Sequence, residues 1–131
     1  MSGPAPTGRT SWALGFLAWI PVPFLGMIVA AVAMVAVYPS VKRKQVPAAA
    51  ENARRAANWG LTLLTVLVAC GIYVLVLALA FPETHQGFFP IGLAVIVFAA
   101  LSVVHAVVTI AGTVIAGKRV FRNRLAIPYL R

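Results

Sequence analysis

The residues with most capacity for chemistry sit inside apolar stretches. Ser102, His105, Thr109 and Thr113 follow one another at spacings of three, four and four, with Gly112 and Ala116 nearby. On a helix turning about 100° per residue they share one face, opposite Val104, Val107, Val114 and Ile115. A second stripe, Glu51, Arg55, Asn58, Thr62 and Thr65, is aligned in the same way and continues through Ala69 and Tyr73. Two uses are open to such stripes, both of which should turn inward. Hydroxyls, an amide and an imidazole could line a polar path in which His105 exchanges protons, because ionisable groups within a membrane often mark such routes. The same residue types at helical spacing also build helix contacts, a neutral histidine hydrogen-bonding across the interface. Packing is the reading adopted. One histidine with no carboxylate inside the apolar runs argues against a proton pump.

The remaining candidates are weaker. Glu51 stands three and four residues before Arg54 and Arg55, the spacing of a local ion-pair cluster worth tenths of a kcal/mol when exposed. Glu83 and His85, beside Thr84 and Gln86, offer two potential metal ligands, too few to specify a site, and a solvated loop is expected. Cys70 is the only cysteine, so an intrachain disulfide and a multi-cysteine metal site are both excluded. The sequence contains no glycine-rich phosphate loop, nucleophile elbow, HExxH pattern or cysteine pair. The expectation is therefore a protein that is not an enzyme, with no catalytic, cofactor or metal residues.

The elements that must position these stripes are membrane helices. Only 10% of the 131 residues are charged and 62% are hydrophobic, whereas a soluble domain carries roughly a quarter charged residues. Three apolar runs, Trp12 to Tyr38, Trp59 to Phe81 and Ile91 to Ala116, each exceed the ~20 residues that cross ~30 Å of hydrocarbon. The first is interrupted at Ile20-Pro21-Val22-Pro23, where two prolines remove backbone donors. A single helix over Trp12 to Tyr38 would be about 40 Å long and strongly tilted. Two shorter helices are preferred, with Trp19 marking the outer interface and a re-entrant first piece as a variant. Tyr38-Pro39-Ser40 is expected to end the second piece. The predicted fold is all-α: an integral membrane helical bundle of four helices, the first two short or joined at the proline-rich break. Its parts are an N-terminal tail over 1–11, a helical domain over 12–117 with helices near 12–20, 23–38, 50–81 and 91–117, and a basic interfacial tail over 118–131.

Charge sets the orientation. Glu51 and Glu83 alone oppose eleven Lys and Arg. Lys42, Arg43, Lys44, Arg54 and Arg55 lie between the first two runs, and Lys118, Arg119, Arg122, Arg124 and Arg131 follow the third. The loop from Pro82 to Pro90 has neither Lys nor Arg. By the positive-inside bias, segments 39–57 and 118–131 are cytoplasmic and loop 82–90 is external, in a multi-pass protein of the plasma (inner) membrane. With Arg9 alone before the first run, a cleavable signal peptide is not expected. Residues Lys42, Arg43, Lys44, Arg54, Arg55, Lys118, Arg119, Arg122 and Arg124 are candidates for contact with anionic headgroups or an acidic partner, each contributing ~1 kcal/mol near a negatively charged leaflet. No folded soluble module supports those charges, so nucleic acid is not an expected partner.

Ala53-Arg54-Arg55-Ala56-Ala57-Asn58-Trp59-Gly60-Leu61-Thr62 resembles the segment His-Ala-Lys-Glu-Ala-Leu-Asn-Phe-Gln-Leu-Thr of a family of small bacterial membrane proteins of unknown function. That family is similar to the membrane region of the chloroplast inner-envelope import component of about twenty kilodaltons. The layout also resembles it: a broken apolar start, a basic link, two long helices around a short loop, and a basic-aromatic tail. The sharp matches are Ala56, Asn58, Leu61 and Thr62, while Asn52, Arg55 and Gly60 stand where the family often has His, Glu and Gln. The resemblance implies a four-helix membrane domain engaged in complex assembly or translocation, and transfers no catalytic residue. An accessory or scaffold subunit of a larger membrane complex is the leading expectation; a conduit formed alone or as a homo-oligomer is the alternative.

Overall fold

The computed structural model describes residues 7–22, 24–81 and 88–131. Its elements are a short helix α1 (Arg9–Ala13) running directly into a 3-10 segment (Leu14–Trp19), then α2 (Leu25–Arg43), α3 (Pro47–Ala80) and α4 (Ile91–Ile115). The protein is thus all-helical, and α2, α3 and α4 are long and apolar enough to cross a membrane. Glu83 and His85, for which a solvated loop is expected, lie outside the described residues.

The proline-rich break makes a hairpin rather than a kinked span. After Trp19 the chain reverses and comes back as α2, so close that a Cβ on Gly26 would lie 2.8 Å from the Ala18 carbonyl oxygen. Phe24 turns the corner at φ +66°, a backbone region side chains seldom occupy, and its ring packs on Phe98 with centroids 4.2 Å apart. Phe98 is seven residues into α4, so the turn stops about 10 Å short of that helix's far end. The N-terminal piece is therefore the shorter arm of a hairpin with α2, its turn lying beside Phe98 of α4.

Helix ends depart from expectation in three places. Residues 9–11 are helical rather than tail. The second helix runs through Tyr38-Pro39-Ser40 to Arg43: a proline removes one backbone donor, and so near a helix end the loss disturbs only the final turns. Pro47 then occupies the first turn of α3, where its missing N–H is no loss. From there α3 continues for 34 residues, about 50 Å, well beyond one hydrocarbon thickness.

Two halves result. At one end α1, its 3-10 continuation, α2, α3 and α4 pack together around Trp12, Met34, Trp59 and Leu63, all at most 2% exposed. Small residues allow this. Ala53, Ala56, Ala57 and Gly60 line α3 where α2 crosses it, and a Cβ on Gly60 would meet the Ala31 carbonyl oxygen at 2.7 Å. Such close backbone approach is how membrane helices gain van der Waals contact without a hydrophobic driving force between them. Beyond the hairpin turn, among the described residues, α3 and α4 continue, bordering an apolar cavity of about 420 Å³ against Phe24, Ile28 and Leu67. Here Val68, Ile72, Leu75, Leu79, Val95 and Ile96 are exposed, as side chains facing lipid should be. The Tyr73 hydroxyl donates to the Pro90 carbonyl at 3.0 Å and ties the two helices near their outer ends.

Candidate functional site

His105 reaches the centre of the packed half from α4, and its position follows from the stripe that carries it. Val103, Val104, Val107 and Val114 are exposed on the outer side of α4, while His105, Val108, Thr109 and Gly112 are buried. The indole Nε1–H of Trp59, on α3, donates to His105 Nδ1 at 3.0 Å. An indole nitrogen can only donate, so Nδ1 is an acceptor and the imidazole proton sits on Nε2. That proton goes to the Gly15 carbonyl at 2.9 Å, within the N-terminal arm of the hairpin. Thr109 Oγ1 lies 3.4 Å from the same nitrogen. The Trp59 and His105 rings are nearly parallel, 11° apart, and the two residues are 2% and 1% exposed.

Glycine is required at position 15. A Cβ there would stand 2.5 Å from Thr109 Oγ1 and 3.2 Å from His105 Cε1. Gly112 likewise admits the ring of Trp12, whose nearest atom would be 2.5 Å from an added Cβ. One imidazole thus joins α3, α4 and the N-terminal hairpin, with both ring nitrogens committed to protein partners. In this state neither is available to relay a proton or to bind a ligand.

The second stripe does different work. Residues 119–131 form no helix but bend across α3, and side chains of α3 satisfy part of their backbone. Asn52 Oδ1 accepts from the Phe121 N–H at 2.9 Å, while its Nδ2 donates to the Thr7 carbonyl at 2.8 Å. Two turns on, Asn58 grips both backbone groups of Leu130: Oδ1 accepts the N–H at 2.7 Å and Nδ2 donates to the carbonyl at 3.1 Å. Thr62 Oγ1 accepts from the Ile127 N–H at 2.9 Å, and Thr65 Oγ1 lies 2.6 Å from the Tyr129 hydroxyl. A primary amide offers a donor and an acceptor side by side, so Asn58 pairs with both backbone groups of Leu130 as a neighbouring strand would, and Asn52 links the tail to the N-terminal segment. The tail's aromatic anchor is Phe121, edge-on to Trp12 at 5.0 Å.

Glu51 forms the anticipated cluster. Arg54 Nε donates to Oε2 at 2.8 Å, and Arg55 Nε is 2.7 Å from Oε1. Arg54 also reaches the Leu130 carbonyl at 3.3 Å. Lys42, Arg43 and Lys44 are exposed at the end of α2, Lys42 standing 5.8 Å from the Tyr38 ring centroid. Lys118, Arg119, Arg122 and Arg124 are exposed along the tail. Since Asn52 touches both Thr7 and the Arg119 carbonyl, and Arg9 lies beside Gly117, the N-terminal segment and both basic segments share one end of the bundle.

The two stripes therefore do not meet across a common lumen. His105 and Thr109 face the N-terminal hairpin, whereas Asn58, Thr62 and Thr65 face the tail. Ser102 bonds back to the Phe98 carbonyl at 2.8 Å within its own helix, Thr113 Oγ1 is buried without a partner, and Tyr73 serves the outer end. Trp59, Gly15 and Asn52 escaped the pattern reading. The signal for the first and last is the spacing Asn52, Ala56, Trp59, Leu63, a buried face of period 3.6; nothing local marks Gly15, whose role is to expose a carbonyl to a residue ninety positions away.

A family model described as the magnetosome magnetite crystal formation protein family (MamF/MmsF) matches residues 9–130. It bears out membership of a small membrane-protein family and does not extend to the chloroplast import component. No curated protein and no solved structure matches the chain.

Proposed function

The chain belongs to the magnetosome magnetite crystal formation protein family, and from that premise we propose that it serves magnetite formation as a non-enzymatic accessory or scaffold subunit of a larger membrane complex. The observation that carries this reading is the closure of the His105 constellation, which spends its hydrogen-bonding capacity on joining three elements. Direct handling of iron by Glu51 has little support either, because two guanidiniums already occupy its carboxylate. What remains for interaction is a concentration of basic residues at one end and a broad apolar surface along the outer halves of α3 and α4. We place the basic end in the cytoplasm, on the positive-inside bias.

Native mass spectrometry after extraction in a mild, non-denaturing polymer tests the proposal. A stoichiometric heteromer containing this chain is expected. A partner-free monomer or a homo-oligomer would overturn it. The homo-oligomer would favour the conduit reading, in which Asn58, Thr62, His105 and Thr109 line a polar path; that reading further requires the tail to leave Asn58 and Thr62.

A further inference from the structure

Where the tail closes over α3 it leaves a polar cavity of about 190 Å³ whose walls include Arg54, Arg55, Asn123 and Arg131. Three guanidiniums outnumber the carboxylate of Glu51 and the α-carboxyl on Arg131, so the recess is net cationic. Arg54 is largely committed, to Glu51 and to the Leu130 carbonyl. The terminal nitrogens of Arg55 and the whole guanidinium of Arg131 have no hydrogen-bond or ion-pair partner among the described residues.

Asn123 gives the cavity its direction. Its Oδ1 accepts from the Leu125 N–H at 3.0 Å, which fixes the amide orientation and leaves Nδ2 as a pure donor. That nitrogen is buried and has no partner. A buried donor without an acceptor is costly, and a protein rarely places one beside unpaired arginines unless an acceptor arrives from elsewhere. Asn58 cannot supply it, since both of its amide atoms are held by Leu130.

We propose that this cavity binds one phosphate-type oxyanion, held by the Asn123 amide and the guanidiniums of Arg55 and Arg131. Arginine forks match the oxygens of a tetrahedral anion in geometry as well as charge. The site lies level with Asn58, where α3 passes from its charged segment into its apolar run, so both a lipid headgroup phosphate and free phosphate have access. It is distinct from general attraction of the basic end to an anionic leaflet, because it depends on an uncharged amide and on particular arginines. It stands independently of the accessory role proposed above.

The test uses three full-length variants that each lower the charge by one: Asn123→Asp and Arg131→Gln within the cavity, and Lys44→Gln outside it. Asn123→Asp keeps the oxygen that caps Leu125, and circular dichroism checks that each variant folds. Inorganic phosphate is titrated into protein held in phosphatidylcholine nanodiscs, and phosphatidylglycerol retained from mixed nanodiscs is counted by native mass spectrometry. Saturable phosphate binding, or one retained phosphatidylglycerol per chain, is expected. Both cavity variants should weaken it about tenfold, as loss of one charge-assisted hydrogen bond does, and Lys44→Gln should leave it within about twofold. Phosphate binding in phosphatidylcholine identifies a free anion as ligand; retention of phosphatidylglycerol alone identifies a headgroup. The proposal fails if the unaltered protein shows neither, or if Lys44→Gln weakens binding as much as the cavity variants.

Discussion

The two halves of α3 are built from the same helix and live by different rules. Residues up to about Leu67 are packed on by the hairpin, α4 and the tail, and their polar groups are paired across 45 to 76 positions of sequence. From Val68 outward, among the described residues, the helix packs mainly beside α4, is tied to it by the Tyr73–Pro90 hydrogen bond, and carries a row of exposed aliphatic side chains. The lesson is that in a membrane chain apolarity does not select the core, because lipid is as apolar as leucine. Small residues and satisfied polar groups select it instead.

Gly60 and Gly71 give the sharpest way to break this contrast. They sit eleven positions apart on one helix, yet an added Cβ meets the Ala31 carbonyl at 2.7 Å in the first case and nothing within 4 Å in the second. Gly60→Ala should destabilise the protein by about 2–3 kcal/mol, since backbone cannot step aside. Gly71→Ala should stabilise it by about 0.5–1 kcal/mol by removing a flexible residue from a helix. Titration with denaturing detergent, followed by circular dichroism, reads both signs; equal effects would dissolve the distinction between the halves.

Next in size is Trp59→Phe, which keeps a ring in place and deletes the donor to His105 Nδ1. A loss of about 2 kcal/mol is expected for the orphaned acceptor, measured in the same titration. Little change would mean that the imidazole finds another partner and that the clasp does not join the three elements.

Asn58→Ala removes both bonds to Leu130 and should cost about 1 kcal/mol. Its diagnostic readout is local: amide exchange at Ile127 and Leu130 should accelerate while exchange in the middle of α4 stays slow. Uniform acceleration would show that the tail is part of the core rather than docked upon it. Smallest of all is Tyr73→Phe, expected to cost about 0.5–1 kcal/mol and to loosen only the outer ends of α3 and α4. A larger effect than that of Asn58→Ala would reverse the assigned order of the two halves.

Much of this is legible in the sequence alone. Composition announced membrane helices, the 3.6-residue period placed Val104, Val107 and Val114 outward and His105 inward, and the spacing of Glu51, Arg54 and Arg55 foretold their ion pairs. Each of those features is settled within one helix, whose fixed rise and turn convert sequence distance directly into spatial distance. The helix through Pro39 was not legible, because a proline's usual effect depends on how much helix must follow it.

The sequence by itself therefore determined the helical class, the apolar spans, the grouping of basic residues and which side chains share a face. Tertiary structure alone decided that residues 9–43 form a hairpin, that Trp59 and Gly15 take the two nitrogens of His105, and that Asn58, Thr62 and Thr65 bond to the tail. The physical reason is that a stripe of donors and acceptors states a demand for partners without naming them. Asn58 would be satisfied equally by water, a lipid, a neighbouring helix or its own chain, and only the packing of every other element brings Leu130 within reach.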